Sequence, residues 1–328
     1  PVERPHKKLQ AASSGDETAA PCTSDELGSD FPGTAANDSD WGSGDDQWPS
    51  RSDLDERSHR QLQGLASGPE QHAAVARSVP RSELRAEAKA QAAMKKEWGN
   101  LWGQKVWDDS VVKSWGTVGW EARKRGTYVH LGRLFGICVE KGSELPPEDE
   151  RRKYKYRVVF QGNNVKDQDW QVALFNEMAS TPATLEGSRI ADIYSCLPGH
   201  TVQSRDVEQA YLQAKLKGTP VYISLPKELW KPAMFKMRCP VVQLDKALYG
   251  HANSGAYWQE FCHAEVSKAG FTLMAGDNWP STYFNYETKV MLIVYVDDMK
   301  ASGPRAAMQA TWEALGQRLR LEVPKGDD

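Results

Sequence analysis

A strand-like apolar run that ends abruptly in two acids restricts this chain more than any other feature. Met291-Leu292-Ile293-Val294 is continuous and β-prone, and Tyr295-Val296-Asp297-Asp298 follows it directly. Acidic residues are poor strand formers. A carboxylate pair at a strand end is therefore either a solvated turn, where Asp is common, or a site. A further acid stands in a matching place: Arg205-Asp206-Val207 sets one Asp at the end of the strand expected over 201–207, before a helical pattern over 208–216. By itself Asp206 reads equally well as a helix N-cap. Together, three carboxylates at the ends of neighbouring strands form a hard-oxygen cluster. Such a cluster suits Mg²⁺, which binds through one or two carboxylates plus substrate phosphates. Two such ions about 4 Å apart can activate a hydroxyl and stabilise a leaving group. The residues alone thus point to metal-dependent phosphoryl or nucleotidyl transfer.

Charge divides the chain. Residues 1–80 carry 7 Lys+Arg against 14 Asp+Glu, and residues 81–328 carry 34 against 30. The first part is rich in Ser, Gly, Asp and Pro, a composition that buries too little apolar surface to offset the entropy of ordering. A disordered acidic tail or linker is expected over 1–80, and a folded domain over 81–328. Five cysteines without CxxC spacing argue against a disulfide framework and a zinc knuckle, and favour a reducing, intracellular setting. No apolar run reaches the roughly 18 residues of a membrane span. The chain opens at Pro1 without a signal-peptide pattern, which reads as a fragment or processed piece.

Helical spacing begins at Ser82 and continues to Leu101, and five tryptophans (98, 102, 107, 115 and 120) fall in and after it. Core packing is the expected role of these rings. Strands are expected over 128–139, 155–160, 201–207, 221–225 and 241–244, with a hairpin over 282–286 and 289–296. Helices are expected over 184–197, 208–216, 253–269 and from Pro304 to about residue 319. This order predicts an α+β fold, a sheet with helices on one face.

Several of these segments resemble a known family. Asp206-Val207-Glu208-Gln209-Ala210-Tyr211-Leu212 resembles the first catalytic motif of reverse transcriptases, and Tyr295-Val296-Asp297-Asp298 their YxDD box. Val221-Tyr222-Ile223-Ser224-Leu225-Pro226, Leu244-Asp245-Lys246-Ala247-Leu248-Tyr249-Gly250 and Ala256-Tyr257-Trp258 are similar to segments of the copia (Ty1-like) branch. Lys155-Tyr156-Arg157-Val158-Val159, Ser180-Thr181-Pro182-Ala183 with Arg189, and Lys105-Val106-Trp107-Asp108 resemble its fingers and lead-in. The resemblance covers about 85–325.

The resemblance implies an RNA-directed DNA polymerase of a retrotransposon. Its fold would be a ferredoxin-like antiparallel palm, with helices on one face, over about 199–328, and partial fingers over about 81–198. Asp206, Asp297 and Asp298 would hold two Mg²⁺ ions, with Mn²⁺ as a substitute. Arg157 and Lys155 would clamp the triphosphate of a deoxynucleotide, and the backbone N–H groups of Gln209 and Ala210 would face it. Tyr211 would crowd a ribose 2′-hydroxyl, and Gly250 would support the templating base. Partners would be an RNA or DNA template-primer, deoxynucleoside triphosphates and the integrase and ribonuclease H of the same polyprotein, with no membrane. The setting would be a cytoplasmic particle or the nucleus.

Two departures from the family pattern stand near those contacts: His251-Ala252-Asn253-Ser254-Gly255 replaces a Gln-Ala-Pro-like run, and Gln161-Gly162 a Lys-Gly. No thumb or ribonuclease H segment is recognised. A relic that binds nucleic acid or protein without catalysis, and another two-metal enzyme such as a nuclease or RNA-templated RNA polymerase, are the alternative readings.

Overall fold

The computed structural model describes residues 76–175, 180–274 and 279–322. Most of the expected acidic tail lies outside them. Its last part does not: β1 (Ala76–Ser78) is a strand, paired from Ala76↔Lys141 to Ser78↔Val139. Residues 76–80, counted with the acidic stretch by composition, are thus part of the fold, because Arg77 is drawn in by two acids. Its guanidinium meets Glu83 and the buried Glu140.

Two short helices follow, α1 (Arg81–Ala86) and α2 (Ala88–Gly103), the second capped by the Glu87 carboxylate accepting from Lys89 N. Trp98, Trp102 and Trp107 meet edge to face or tilted at centroid separations of 5.7–6.1 Å. With Leu101, Val158, Phe160, Ile223 and Leu248 they build the first core. The expected packing role holds for these rings and for Trp115, whereas Trp120 is exposed.

The first sheet is organised by β3 (His130–Lys141). β4 (Lys153–Phe160) runs antiparallel to it from Leu134↔Phe160 to Lys141↔Lys153. Glycines at 132 and 136 permit this, because a Cβ at either would overlap the ring of Phe160 or Tyr156. β5 (Lys166–Asp167) pairs with the start of β3, and β7 (Val221–Ser224) runs parallel to it. β8 (Pro240–Gln243) and β2 (Lys113–Ser114) complete the sheet, and α3 (Trp115–Arg125) leaves from β2.

The second sheet is antiparallel throughout, in the order β6 (His200–Asp206), β12 (Asp298–Pro304), β11 (Val290–Tyr295), β10 (Thr282–Asn285), β9 (Thr272–Leu273). Asn285 Oδ1 accepts from Glu287 N and Thr288 N at 3.0 Å, which closes the β10–β11 hairpin. Helices cover both faces, not one as expected. Leu292 and Val294 face α6 (Ser254–Lys268) and α7 (Arg305–Gly316) through Trp258, Trp312 and Leu315. Met291 and Ile293 face α4 (Leu185–Ser195) through Ala191. The physical reason is that β11 is buried at every position from Val290 to Val294, so neither face can remain wet.

Two further expectations change. The helix expected over 208–216 shrinks to α5 (Ala210–Gln213), because Gln209 enters it with φ +48° and Ala214 leaves it extended. The division near residue 198 does not separate two consecutive halves either: β7 and β8 return to the first sheet, while α4 packs on the second. Cys138, Cys196 and Cys262 are free thiols. Among the described residues no helix is long and apolar enough to cross a membrane.

Candidate active site

The register of the second sheet assembles the acids. Asp298, first in β12, lies opposite Asp206, last in β6, and residues directly opposite in an antiparallel pair project from the same face. Asp297 occupies the turn between β11 and β12, and its carbonyl accepts from Val207 N at 2.7 Å, which ties the turn to the end of β6. The three acids predicted from the sequence therefore meet. Burial pushes the Asp298 carboxyl above the usual carboxylate range, helped by a hydrogen bond with Asp206 and by the charges of Asp297 and Asp206. A cluster that raises its own carboxyl in this way is one that a cation relieves.

These oxygens do not make a closed cage. Among the described residues no three His, Cys, Asp or Glu side chains are arranged to hold a metal ion by themselves. The donor set, carboxylate oxygen at an open strand end, nonetheless fits an ion that keeps most of its shell for water and substrate phosphate.

The turn is under backbone strain. Val296 has φ +55°, a conformation that costs a β-branched residue about 1–3 kcal/mol. The buried Trp258 on α6 holds it, donating from Nε1 to Val296 O at 2.7 Å.

Cations face the acids from β4. Lys155 and Arg157 are two residues apart, hence on one face of the strand. Burial lowers the Lys155 pKa, Arg157 lowers it further, and the charge of Asp297 acts in the opposite direction. The Arg157 guanidinium lies 5.0 Å from the centroid of the Tyr249 ring, which meets Tyr211 edge-on at 4.8 Å. Burial, then the Asp297 charge, raises the Tyr211 phenol. An unbroken line of contacts thus runs from Arg157 through Tyr249 to Tyr211 beside the carboxylates.

Gln209 and Ala210 follow Asp206 at the entry to α5. Glu208 N donates to Arg320 O and Leu212 N to Gln209 O, and the amides of Gln209 and Ala210 between them meet no acceptor among the described residues. The Gln209 side chain accepts from Gln104, which in turn accepts from Arg320. Gly250 adopts φ +88° against the end of β4, where Phe160 N donates to Tyr249 O at 2.7 Å and a Cβ would overlap Phe160 O. It reaches the cluster only through Tyr249. A shallow, open pocket adjoins the turn, lined by Tyr211, Trp258, Val296, Pro182 and Gln259 among others.

Sequence reasoning missed Tyr249 and Trp258. Both stand in segments singled out above, and a large aromatic beside a glycine or a helix start was the only local signal.

Acids at the tips of adjacent antiparallel strands, faced by cations from a second sheet, suit metal-dependent phosphoryl or nucleotidyl transfer. Residues 146–319, more than half of the chain, match the family described as reverse transcriptase (RNA-dependent DNA polymerase), and the chain belongs to that family. It is an RNA-directed DNA polymerase, a class that acts on a nucleic-acid template-primer with nucleotide substrates and uses divalent metal ions. No curated protein matches the chain.

Proposed function

We propose that this chain is the polymerase part of a copia-type retrotransposon polyprotein, with the second sheet as its palm and the first as its fingers. The remaining polyprotein parts, an integrase and a ribonuclease H, are its proposed partners, and a cytoplasmic particle or the nucleus its proposed setting. The observation that carries the reading is the Asp298↔Asp206 register, locked to Asp297 by the Val207 amide.

In this reading Asp206 and Asp297, assisted by Asp298, would hold two Mg²⁺ ions. Bound there, the ions supply a lowered pKa for the primer 3′-hydroxyl and charge neutralisation at the triphosphate. The side chains do the positioning. Arg157 and Lys155 grip the triphosphate, Arg with a planar fork that suits phosphate oxygens. The amides of Gln209 and Ala210 donate to it from below. Tyr211, backed by Tyr249, fills the space a 2′-hydroxyl would need. The primer 3′-hydroxyl gives its proton to solvent water, its oxygen attacks the α-phosphorus to form a new P–O bond, and pyrophosphate leaves with the electrons of the broken one. Gly250 and the following turn support the templating base.

Primer extension on poly(rA)/oligo(dT) with Mg²⁺ and dTTP, compared with Asp297→Asn, tests the reading. Extension by the parent and none by the variant supports it. Equal extension by both overturns the site, and silence from both in a folded chain overturns the activity.

A further inference from the structure

The cationic surplus of the folded body is gathered in one place. Residues 111–128 carry four Lys or Arg against one acid, residues 226–239 carry the same, and residues 81–328 as a whole carry 34 against 30. The two segments thus hold a surplus of six, and everything else from 81 onward is net acidic. They are also neighbours in space. β2 pairs with β8 through Lys113↔Val241 and Ser114↔Pro240, and Trp115 N donates to Cys239 O at 2.9 Å. From that junction α3 extends for about 16 Å.

Three large aromatics stand out of this surface: Trp120 is 57% exposed, Tyr128 66% and Phe235 64%. No core explains them, and they are set singly among charges. Lys124 Nζ lies 5.0 Å from the Trp120 centroid, and Phe235 is braced edge-on by Trp230 at 5.4 Å. Three other cations here are paired: Arg123 with Asp169, Lys113 with Glu121 and Lys231 with Asp109. Lys124, Lys236 and Arg238 have no acidic partner among the described residues.

Separate stacking faces interleaved with unpaired cations fit a single-stranded nucleic acid, whose bases stack on aromatics while its phosphates track a positive groove. A protein partner would instead call for a contiguous apolar patch.

We infer that α3 and residues 226–239 form a second nucleic-acid contact, a track for the single-stranded template outside the catalytic site. Trp120 and Phe235 are its stacking platforms, and Lys124, Lys236 and Arg238 its phosphate contacts. The inference rests on the polymerase reading for the identity of the strand, but its test does not use catalysis. Fluorescence anisotropy of a labelled oligo(rA) single strand, in chelator and without nucleotide, compares the parent with Trp120→Ala/Lys124→Ser and with Lys236→Ser/Arg238→Ser.

All four residues are solvent-facing, so both variants fold, and unchanged melting temperatures check this. Each double variant is expected to weaken binding about tenfold. The Lys236/Arg238 pair should also flatten the salt dependence by about 1.4 in log–log slope, at about 0.7 per phosphate contact. Unchanged affinity and slope in both variants would overturn the inference. So would absence of single-strand binding by the parent, or binding of phosphatidylserine vesicles in its place. Primer extension, measured separately, reports on the polymerase reading whichever way the anisotropy falls.

Discussion

The indole N–H of Trp258 donates to the carbonyl of Val296 at 2.7 Å, and through that single bond α6 holds the strained residue next to Asp297. The bond sets where the turn carbonyl points, and so where the two following carboxylates stand. Trp258→Phe keeps most of the packing and removes the donor, at a cost of about 1–3 kcal/mol for the buried group left unpaired. The turn then relaxes toward an unstrained backbone. The expected outcome is a primer-extension rate about ten- to a hundredfold lower, since small misplacement of reacting groups is costly, with template-primer affinity unchanged. Single-turnover extension and a binding titration separate the two. An unchanged rate would show that the turn holds itself.

Tyr211 lies between Tyr249 and the carboxylates, and its ring is fixed by the edge-on contact at 4.8 Å. A fixed ring can exclude a hydroxyl, whereas a mobile one yields. Tyr211→Ala should therefore raise ribonucleotide use relative to deoxynucleotide use by about tenfold to a few hundredfold, the range a pocket supplies for a small group. Tyr249→Leu, which frees the ring without removing it, should move the ratio in the same direction by less. The ratio of kcat/KM for dTTP and UTP is the measurement, and no change in either variant sinks the gate.

Asp297 and Asp298 were legible because they end an apolar strand, and Asp206 because it closes a strand-like run just before a helical pattern; neither signal needs knowledge of distant residues. β12 was not legible. Lys300, Ser302 and Gly303-Pro304 read locally as a loop, yet Lys300 Nζ bonds Ser188 Oγ at 2.8 Å and Asp192 at 2.9 Å, and Ser302 Oγ donates to Ala191 O at 2.6 Å. Those partners lie more than a hundred residues away, so the satisfaction that lets polar residues sit in a buried strand is invisible in the strand itself. The second covered face was written in the unbroken run from Val290 to Val294, which signals burial on both sides rather than strand alone. The line Arg157–Tyr249–Tyr211 depends on three segments brought together only by tertiary folding, and no spacing encodes it.

His251, one of the departures from the family pattern, is buried and surrounded by rings. Phe160, Phe175 and Tyr257 face it, and His130 is the other titratable base nearby. Its Nδ1 accepts from Asn253 N at 3.2 Å, which requires the neutral ring. Burial, with the charge of His130, lowers its pKa from 6.5 to about 4, and burial lowers that of His130 too. A base depressed in the fold takes up its proton more readily when unfolded. Stability is therefore full above about pH 6.5, falls as the pH drops, and levels off once the folded form also protonates near pH 4. The loss from His251 is on the order of 3 kcal/mol across that window. Urea midpoints between these limits should fall steeply for the parent and less steeply for His251→Phe. Parallel slopes would show that His251 is not responsible.

Arg157 is held over the Tyr249 ring, 5.0 Å from its centroid, with no acid in a salt bridge to it among the described residues. A cation kept extended by a ring rather than by a carboxylate retains its N–H groups for an incoming anion. Arg157→Lys keeps the charge but loses the fork and the stacking plane. If Arg157 grips the triphosphate, the KM for dTTP should rise about tenfold, the worth of about one charge-assisted hydrogen bond, with a smaller change in kcat. Arg157→Ala should raise it further, and Lys155→Ala less, because Lys155 is a single point charge on the same face. Steady-state extension at varied dTTP measures all three. A fall in kcat at constant KM would place Arg157 with the template or the chemistry instead, and the triphosphate would then depend on the Gln209 and Ala210 amides and the bound ions.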